Sequence, residues 1–272
     1  MIYTVCEQLT LLEFPCFKGF ENTISHFVST RLGGSSCNEY SSLNLGLNQA
    51  DLPKNVIENR SKLASSLGIS INSYVFARQT HSRNVFRVRE EDRGKGSLTR
   101  ETAIADTDGM ITNVPGICLV TLAADCVPIL FFDPENSAIG VAHAGWKGTV
   151  IRTPEVVVSA MVNEFGTNPS KVLVAIGPSA GPCCYEVGSD VIAEVEKSFG
   201  KDSGTLAPSG TNGKMKFDMW EANRITLIEA GVNQQNIQPA CICTLCQNEL
   251  FFSARKGNLG RFGAGIMLKN SI

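Results

Sequence analysis

The sequence predicts a mixed α/β (α+β) fold in one compact domain, residues 1–272, with mixed β-sheets flanked by helices. Three observations lead there. Hydrophobic residues make up 43% of the chain, enough for a sizeable core. Short β-branched and apolar runs dominate the first two thirds, whereas helices announce themselves by caps. Neither a Pro/Ser/Gly-rich linker nor a repeat period divides the chain.

The expected strands are 74–77, 84–89, 109–112, 117–123, 128–132, 138–143, 172–176, 237–243, 250–254 and 264–268. Asp133-Pro134-Glu135-Asn136 reads as the turn of a hairpin. A first helix starts with Asp51 as cap and closes at Gly68, and a second runs from Thr153-Pro154-Glu155 to Phe165-Gly166. A third begins at Ser189, with Val191, Val195 and Phe199 on one face. Asp218 with Glu221 forms a capping box for a fourth, which ends at Ala230-Gly231.

Charge and hydropathy narrow the function classes. A formal net charge of −2 offers no chain-wide attraction for nucleic acid or anionic lipid. Apolar runs stay below the roughly 18 residues needed to span a membrane; the richest, 117–132, is interrupted by Asp125 and Pro128. The N-terminus shows no basic patch followed by an apolar block, so a cytoplasmic protein without a secretory leader is expected. Its ten cysteines should then be thiols rather than disulfides.

Only three histidines are present, so each can be weighed. His81 in Gln79-Thr80-His81-Ser82, Cys126 in Ala124-Asp125-Cys126-Val127-Pro128 and His143 in Ala142-His143-Ala144-Gly145-Trp146 all fall at expected strand ends. If they converge, two imidazoles and a thiolate with a free fourth position match a catalytic zinc site. A zinc ion so held lowers the pKa of its water toward about 7. Copper is the alternative metal, since the same trio with a weak axial Met occurs in blue-copper sites. The ordinary reading of a lone strand cysteine is a small core residue. His26, in a strand-like run, takes a plain structural role.

These segments resemble the laccase-domain family, also called YfiH-like or multicopper polyphenol oxidase proteins. The resemblance extends through Ser29-Thr30-Arg31, Ser42-Leu43-Asn44-Leu45-Gly46, Glu58-Asn59-Arg60 and Asp106-Thr107-Asp108-Gly109. It continues through Ile176-Gly177-Pro178, Cys184-Tyr185-Glu186-Val187 and the tail Phe251-Phe252-Ser253-Ala254-Arg255-Lys256. It implies His81, Cys126 and His143 as metal ligands, and a fold related to a group of cysteine hydrolases. It also implies zinc-dependent purine nucleoside phosphorylase activity on adenosine, inosine, guanosine and methylthioadenosine, with adenosine deaminase activity. The tail departs from the family's usual Tyr-Arg-Arg at Ala254-Arg255-Lys256. Three histidines are too few for a multicopper laccase, so any polyphenol oxidase activity would need single-metal chemistry.

With nucleosides and phosphate as partners, Asp125 is the candidate proton-transfer carboxylate, or else a buried hydrogen-bond anchor. Arg31 and Arg60 are candidates for phosphate, with a solvated helix face as the alternative for Arg60. Gln79, two residues before His81, would share its side of a strand and reach the ligand. A second enzyme class is a cysteine hydrolase with Cys126 as nucleophile and His143 as base, suited to amide cleavage in peptidoglycan precursor editing. A third is a zinc-stabilised binding module. Cys241-Ile242-Cys243-Thr244-Leu245-Cys246 looks metal-like but lacks a matching second half, so core packing is expected for two of its three thiols and for Cys183-Cys184. Trp146 is read as a purine platform or a core filler. The sequence leaves the oligomeric state open.

Overall fold

A computed structural model of the chain describes residues 1–6, 9–47 and 50–270. The strands are β1 (Ile2–Cys6), β2 (Leu9–Glu13), β3 (Ile24–Ser29), β4 (Tyr74–Phe76), β5 (Val85–Arg87) and β6 (Gly109–Thr112). They continue as β7 (Cys118–Ala123), β8 (Val127–Asp133), β9 (Ala138–Ala144), β10 (Leu173–Ile176) and β11 (Glu186–Val187). The last are β12 (Leu206–Pro208), β13 (Met215–Phe217), β14 (Ile237–Pro239) and β15 (Phe262–Leu268). The helices are α1 (Pro53–Ser66), α2 (Trp146–Val150), α3 (Thr153–Phe165), α4 (Ser189–Phe199) and α5 (Met219–Glu229).

Two six-stranded mixed sheets carry the fold, in the orders β1-β2-β3-β15-β7-β4 and β14-β10-β8-β9-β6-β5. A small third sheet runs β11-β13-β12. The expected mixed α/β class holds. Strand alternation explains how the layers stack. Along β8, Leu130 and Phe132 meet Val28, Leu119 and Ile266 of the first sheet. Ile129 and Phe131 point the other way, joining Val157, Val158 and Met161 of α3 and Leu227 of α5. A third cluster packs Leu63 and Ala64 of α1 against Phe27 and Val120 on the far side of the first sheet. Both faces of β8 and β9 are therefore covered, and every residue of the two strands is buried. This is why they read as unbroken apolar runs.

The local expectations fare unevenly. The 128–143 hairpin forms, its turn closed by Asp133 Oδ1, which accepts from the amides of Glu135 and Asn136. Asp218 caps α5 through the amides of Trp220 and Glu221, and Gly166 ends α3 in the left-handed conformation at φ 70. Asp51 does not cap α1; its Oδ2 accepts from Ser36 and Asn44, and Leu52 takes the cap position without a side-chain bond. No strand forms over 250–254, where turns bury Phe251 and Phe252, and Asn258 Oδ1 accepts from the Ser253 amide. The strand expected over 237–243 stops at Pro239. No helix of the described residues is long and apolar enough to cross a membrane.

Candidate metal centre

Hairpin register explains how distant residues meet. In the antiparallel β8–β9 pair, Pro128 lies opposite His143 and Val127 opposite Ala144. Cys126 immediately precedes β8 and His143 sits near the end of β9, so both emerge at one end of the sheet. On the other side of β9, Gly109 of β6 pairs with Ala142, which brings Asp108 to the same end. The His143 amide donates to the Asp108 carbonyl. His81, on the loop between β4 and β5, is delivered by its neighbours: Asp108 Oδ2 accepts from the amides of Thr80 and Ser82 at 3.1 and 2.7 Å. That loop holds His81 in the left-handed region, at φ 61.

One ligand atom each of His81, Cys126 and His143 lies within 4.8 Å of the others. His81 Nε2 stands 3.7 Å from Cys126 Sγ, and the imidazole centroids are 5.0 Å apart. His143 Nδ1 bonds Asp108 Oδ1 at 2.8 Å, leaving Nε2 for the shared centre. This carboxylate–imidazole pair is the outer arrangement that orients metal-bound histidines. His81 is exposed, Cys126 half-buried and His143 5% exposed, so access to the centre falls from His81 to His143.

Electrostatics favour a thiolate at Cys126 paired with a protonated His143, whose proton a bound cation would replace. Burial would raise the Cys126 thiol, but the imidazoles of His143 and His81 outweigh it and bring it down to about 6. Burial would lower His143, yet the Cys126 thiolate and Asp108 hold it up. Asp108 is brought down to about 2, because hydrogen bonding and charge from His143 and the Ser82 and Thr80 amides outweigh its burial. Two imidazoles and a thiolate suit zinc or copper. Gly145 leaves the room: a Cβ there would stand 2.5 Å from Cys126 Sγ and 3.2 Å from His81 Cδ2. The residues therefore fit a single cation.

Two cavities meet at Cys126. The first, about 470 Å³, is lined by the trio together with Arg78, Gln79, Arg100 and Arg261. The second, about 330 Å³, is lined by Cys126, Trp146, Tyr185, Met219 and Arg255, among others. Trp146 thus faces a cavity while packing against the second core cluster.

The remaining site expectations divide. Arg60 borders the first cavity, but it is 2% exposed. Its guanidinium donates to the carbonyls of Leu45, Gly96 and Ser97 and stacks on Phe76. It is neither a phosphate donor nor a solvated helix arginine; it pins the α1 face to two loops. Arg31 lines neither cavity; it binds Ser41 and Asn248 carbonyls and Asn258 Oδ1, and stacks on Phe252. Gln79 is not in a strand: its amide donates to the Leu122 carbonyl and accepts from the Leu122 amide, fixing the His81 loop to β7. Asp125 borders the second cavity and makes the bonds of an anchor, with Oδ1 accepting from Thr244 Oγ1 at 2.7 Å and Oδ2 from the Arg255 amide at 3.0 Å. His26 keeps its structural role, accepting from the Phe14 amide at 2.8 Å.

Sequence reasoning gave no role to Asp108, Arg78, Arg100 or Gly145. For Asp108 a signal existed: a carboxylate in the family-like Asp106-Thr107-Asp108-Gly109 segment, directly before an expected strand. The exposed Arg78 and Arg100 carry no such signal.

Comparison with known proteins agrees with this architecture. Residues 25–269 match the family model described as multi-copper polyphenol oxidoreductase laccase. The purine nucleoside phosphorylase YlmD of Bacillus subtilis (strain 168) is 36% identical over 245 residues, 89% of this chain and 88% of that protein. Adenosine deaminase RL5, from an unknown prokaryotic organism, is 34% identical over 248 residues, covering 90% of this chain and 94% of that protein. The crystal structure of YlmD from Geobacillus stearothermophilus superposes with a TM-score of 0.92 at 33% identity, covering 98% of both chains. Matches of this extent establish that the chain belongs to the laccase-domain family, alongside the YlmD and YfiH proteins.

Proposed function

We propose that the protein is a zinc-dependent purine nucleoside phosphorylase with adenosine deaminase activity, acting in the cytoplasm as one domain over residues 1–272. The observation that carries this reading is the junction at Cys126, where a three-donor metal centre joins an arginine-bearing cavity to an aromatic one. The activities for which the relatives are named, purine nucleoside phosphorolysis and adenosine deamination, suggest the substrate class. Zinc held by His81, Cys126 and His143 would supply a Lewis acid at that junction.

The chain's own residues divide the remaining work. Asp108 holds the His143 ring so that its Nε2 faces the centre. Arg261 is anchored through Nη1 to the carbonyls of Leu259 and Gly260, and with Arg78 and Arg100 gives the first cavity its affinity for phosphate. The flat rings of Trp146 and Tyr185 form a platform for the purine in the second. In phosphorolysis a phosphate oxygen bonds the ribose anomeric carbon, the bond to the purine nitrogen breaks, and the purine departs with that electron pair and takes up a proton. In deamination water adds at the amine-bearing purine carbon and ammonia leaves.

Incubation with adenosine or inosine and phosphate tests the reading: free base and ribose 1-phosphate in equal amounts, with ammonia from adenosine, are expected. Arg261→Ala should raise KM for phosphate about 10-fold or more, as loss of a charged hydrogen-bond donor does. Unchanged nucleosides in zinc-loaded protein would refute the reading.

One observation favours a second reading, the Cys126–His143–Asp108 line, which also suits a cysteine hydrolase. Cys126, as a thiolate beside His143, would add to an amide carbonyl, such as that of a peptidoglycan precursor. The C–N bond would break as His143 gives its proton to the departing amine, and water would then release the acyl group. Alkylation separates the two: protection of Cys126 by zinc with turnover retained supports the phosphorylase. Turnover of amides only in metal-free protein supports the hydrolase. A polyphenol oxidase would need copper at the same trio.

A further inference from the structure

Beyond the trio, the chain gathers a second set of soft donors from two loops. Gly181–Tyr185 is a tight turn, in which the amides of Cys184 and Tyr185 both donate to the Gly181 carbonyl. It presents Cys183 and Cys184. Cys243–Gln247 is another, closed by the Gln247 amide on the Cys243 carbonyl, and presents Cys243 and Cys246. A lone bridge, Ser179 to Cys243, ties the two loops. Gly181 permits the approach, since a Cβ there would stand 3.0 Å from Cys243 Cβ and 2.6 Å from the Trp220 ring.

The four sulfurs lie within 4.8 Å of one another. Cys246 Sγ is 3.6 Å from Cys183 Sγ and 3.4 Å from Cys184 Sγ. A tetrahedral zinc with Zn–S bonds of about 2.3 Å requires sulfur–sulfur edges of roughly 3.8 Å. A disulfide needs about 2.05 Å. A polynuclear iron–sulfur cluster would need room between the thiolates for its own sulfides. Spacing thus favours one mononuclear cation. The Cys243 sulfur is also dressed for ligation: the Gly181 amide donates to it at 3.3 Å. Such an amide bond is the pattern by which a metal-binding turn stabilises a bound thiolate. Core packing does not explain the group, because Cys183 and Cys246 are exposed and Cys184 is half-buried; only Cys243 is buried. The second half that the Cys241–Cys246 motif lacked in sequence is Cys183-Cys184, while Cys241 stays outside the cluster.

We propose that Cys183, Cys184, Cys243 and Cys246 bind a second zinc ion in a closed four-thiolate site. Its place in the fold gives it a bracing role. Thr244, between two of the cysteines, donates to Asp125 Oδ1, and the Ala180 amide, from the other loop, donates to the Asp125 carbonyl. The cation would cross-link the two loops that hold Asp125, and through it the backbone of Cys126.

The test is zinc stoichiometry on the full chain purified without oxidant. Two zinc equivalents per chain are expected, falling to one in the double variant Cys183→Ser/Cys246→Ser, with a lower thermal midpoint. Cobalt substitution should give the intense thiolate-to-metal charge-transfer bands of a four-sulfur tetrahedral site, lost in the same variant. If that variant fails to fold, the wild type decides by mass spectrometry: zinc should protect these four thiols from iodoacetamide, and a chelator should expose them. A single equivalent in the wild type, equal alkylation with and without zinc, disulfides joining the four cysteines, or iron in place of zinc would overturn the proposal. None of these readouts uses nucleoside turnover, so they stand apart from the activity proposed for the trio.

Discussion

At the trio, Cys126 and His143 flank paired positions of adjoining strands, and Asp108 enters from the next strand. The four-cysteine group instead rides on two turns joined by one isolated bridge. The first arrangement is held by ladder hydrogen bonds within a doubly covered sheet, so its donors are placed before any cation arrives. The second has few ties of its own, and a bound cation would supply the cross-link. A preorganised, open centre suits chemistry, and a closed thiolate set on loops suits bracing.

This contrast can be broken by substitution. The largest effect is expected from Cys126→Ser. It should lower phosphate-dependent cleavage of inosine by about 10³-fold, the equivalent of losing several kcal/mol of Lewis-acid stabilisation, while four-thiolate zinc stays bound. Loss of both zinc equivalents together would merge the two sites into one.

His26 provides a control histidine remote from both groups. Burial brings it from 6.5 down to about 4, and its Nε2 accepts from the Phe14 amide, so the fold requires it neutral. The stability that depends on the neutral ring is complete above about 6.5 and is lost as pH falls toward 4. The loss should reach up to about 3 kcal/mol by chemical denaturation, and His26→Gln should flatten that dependence. An equally steep profile in the variant would assign the acid lability elsewhere.

Asp108→Asn keeps the shape of the acceptor but removes its charge. Zinc affinity at the trio should fall about 10- to 100-fold by competition with a chromophoric chelator, with the four-thiolate equivalent unaffected. The smallest effect belongs to Thr244→Val, which strands Asp125 Oδ1. It should cost about 1–3 kcal/mol of stability with little change in metal content. An unchanged unfolding midpoint would show that the Thr244–Asp125 bond does not brace the fold.

The sequence disclosed these regions unequally, for physical reasons. His81, Cys126 and His143 were legible because histidine is scarce and each residue borders a strong strand pattern. Strands β6 to β9 and helices α3 to α5 were legible because burial and caps leave local marks. The small sheet of β11, β12 and β13 has short strands whose partners are set by tertiary packing. Arg60 and Arg31 could not be told from ligand-binding arginines, because the carbonyls that claim them come from distant loops. The four-cysteine group was only half visible: its two pairs lie far apart in the chain, and their meeting depends on the Ser179–Cys243 bridge.

The most direct measurement follows turnover as zinc is returned to metal-stripped Cys183→Ser/Cys246→Ser protein, in which the trio is the one remaining site proposed to hold zinc. Cleavage of inosine should rise in proportion to zinc and level off at one equivalent per chain. Full activity without metal, or none with the trio filled, would contradict the account.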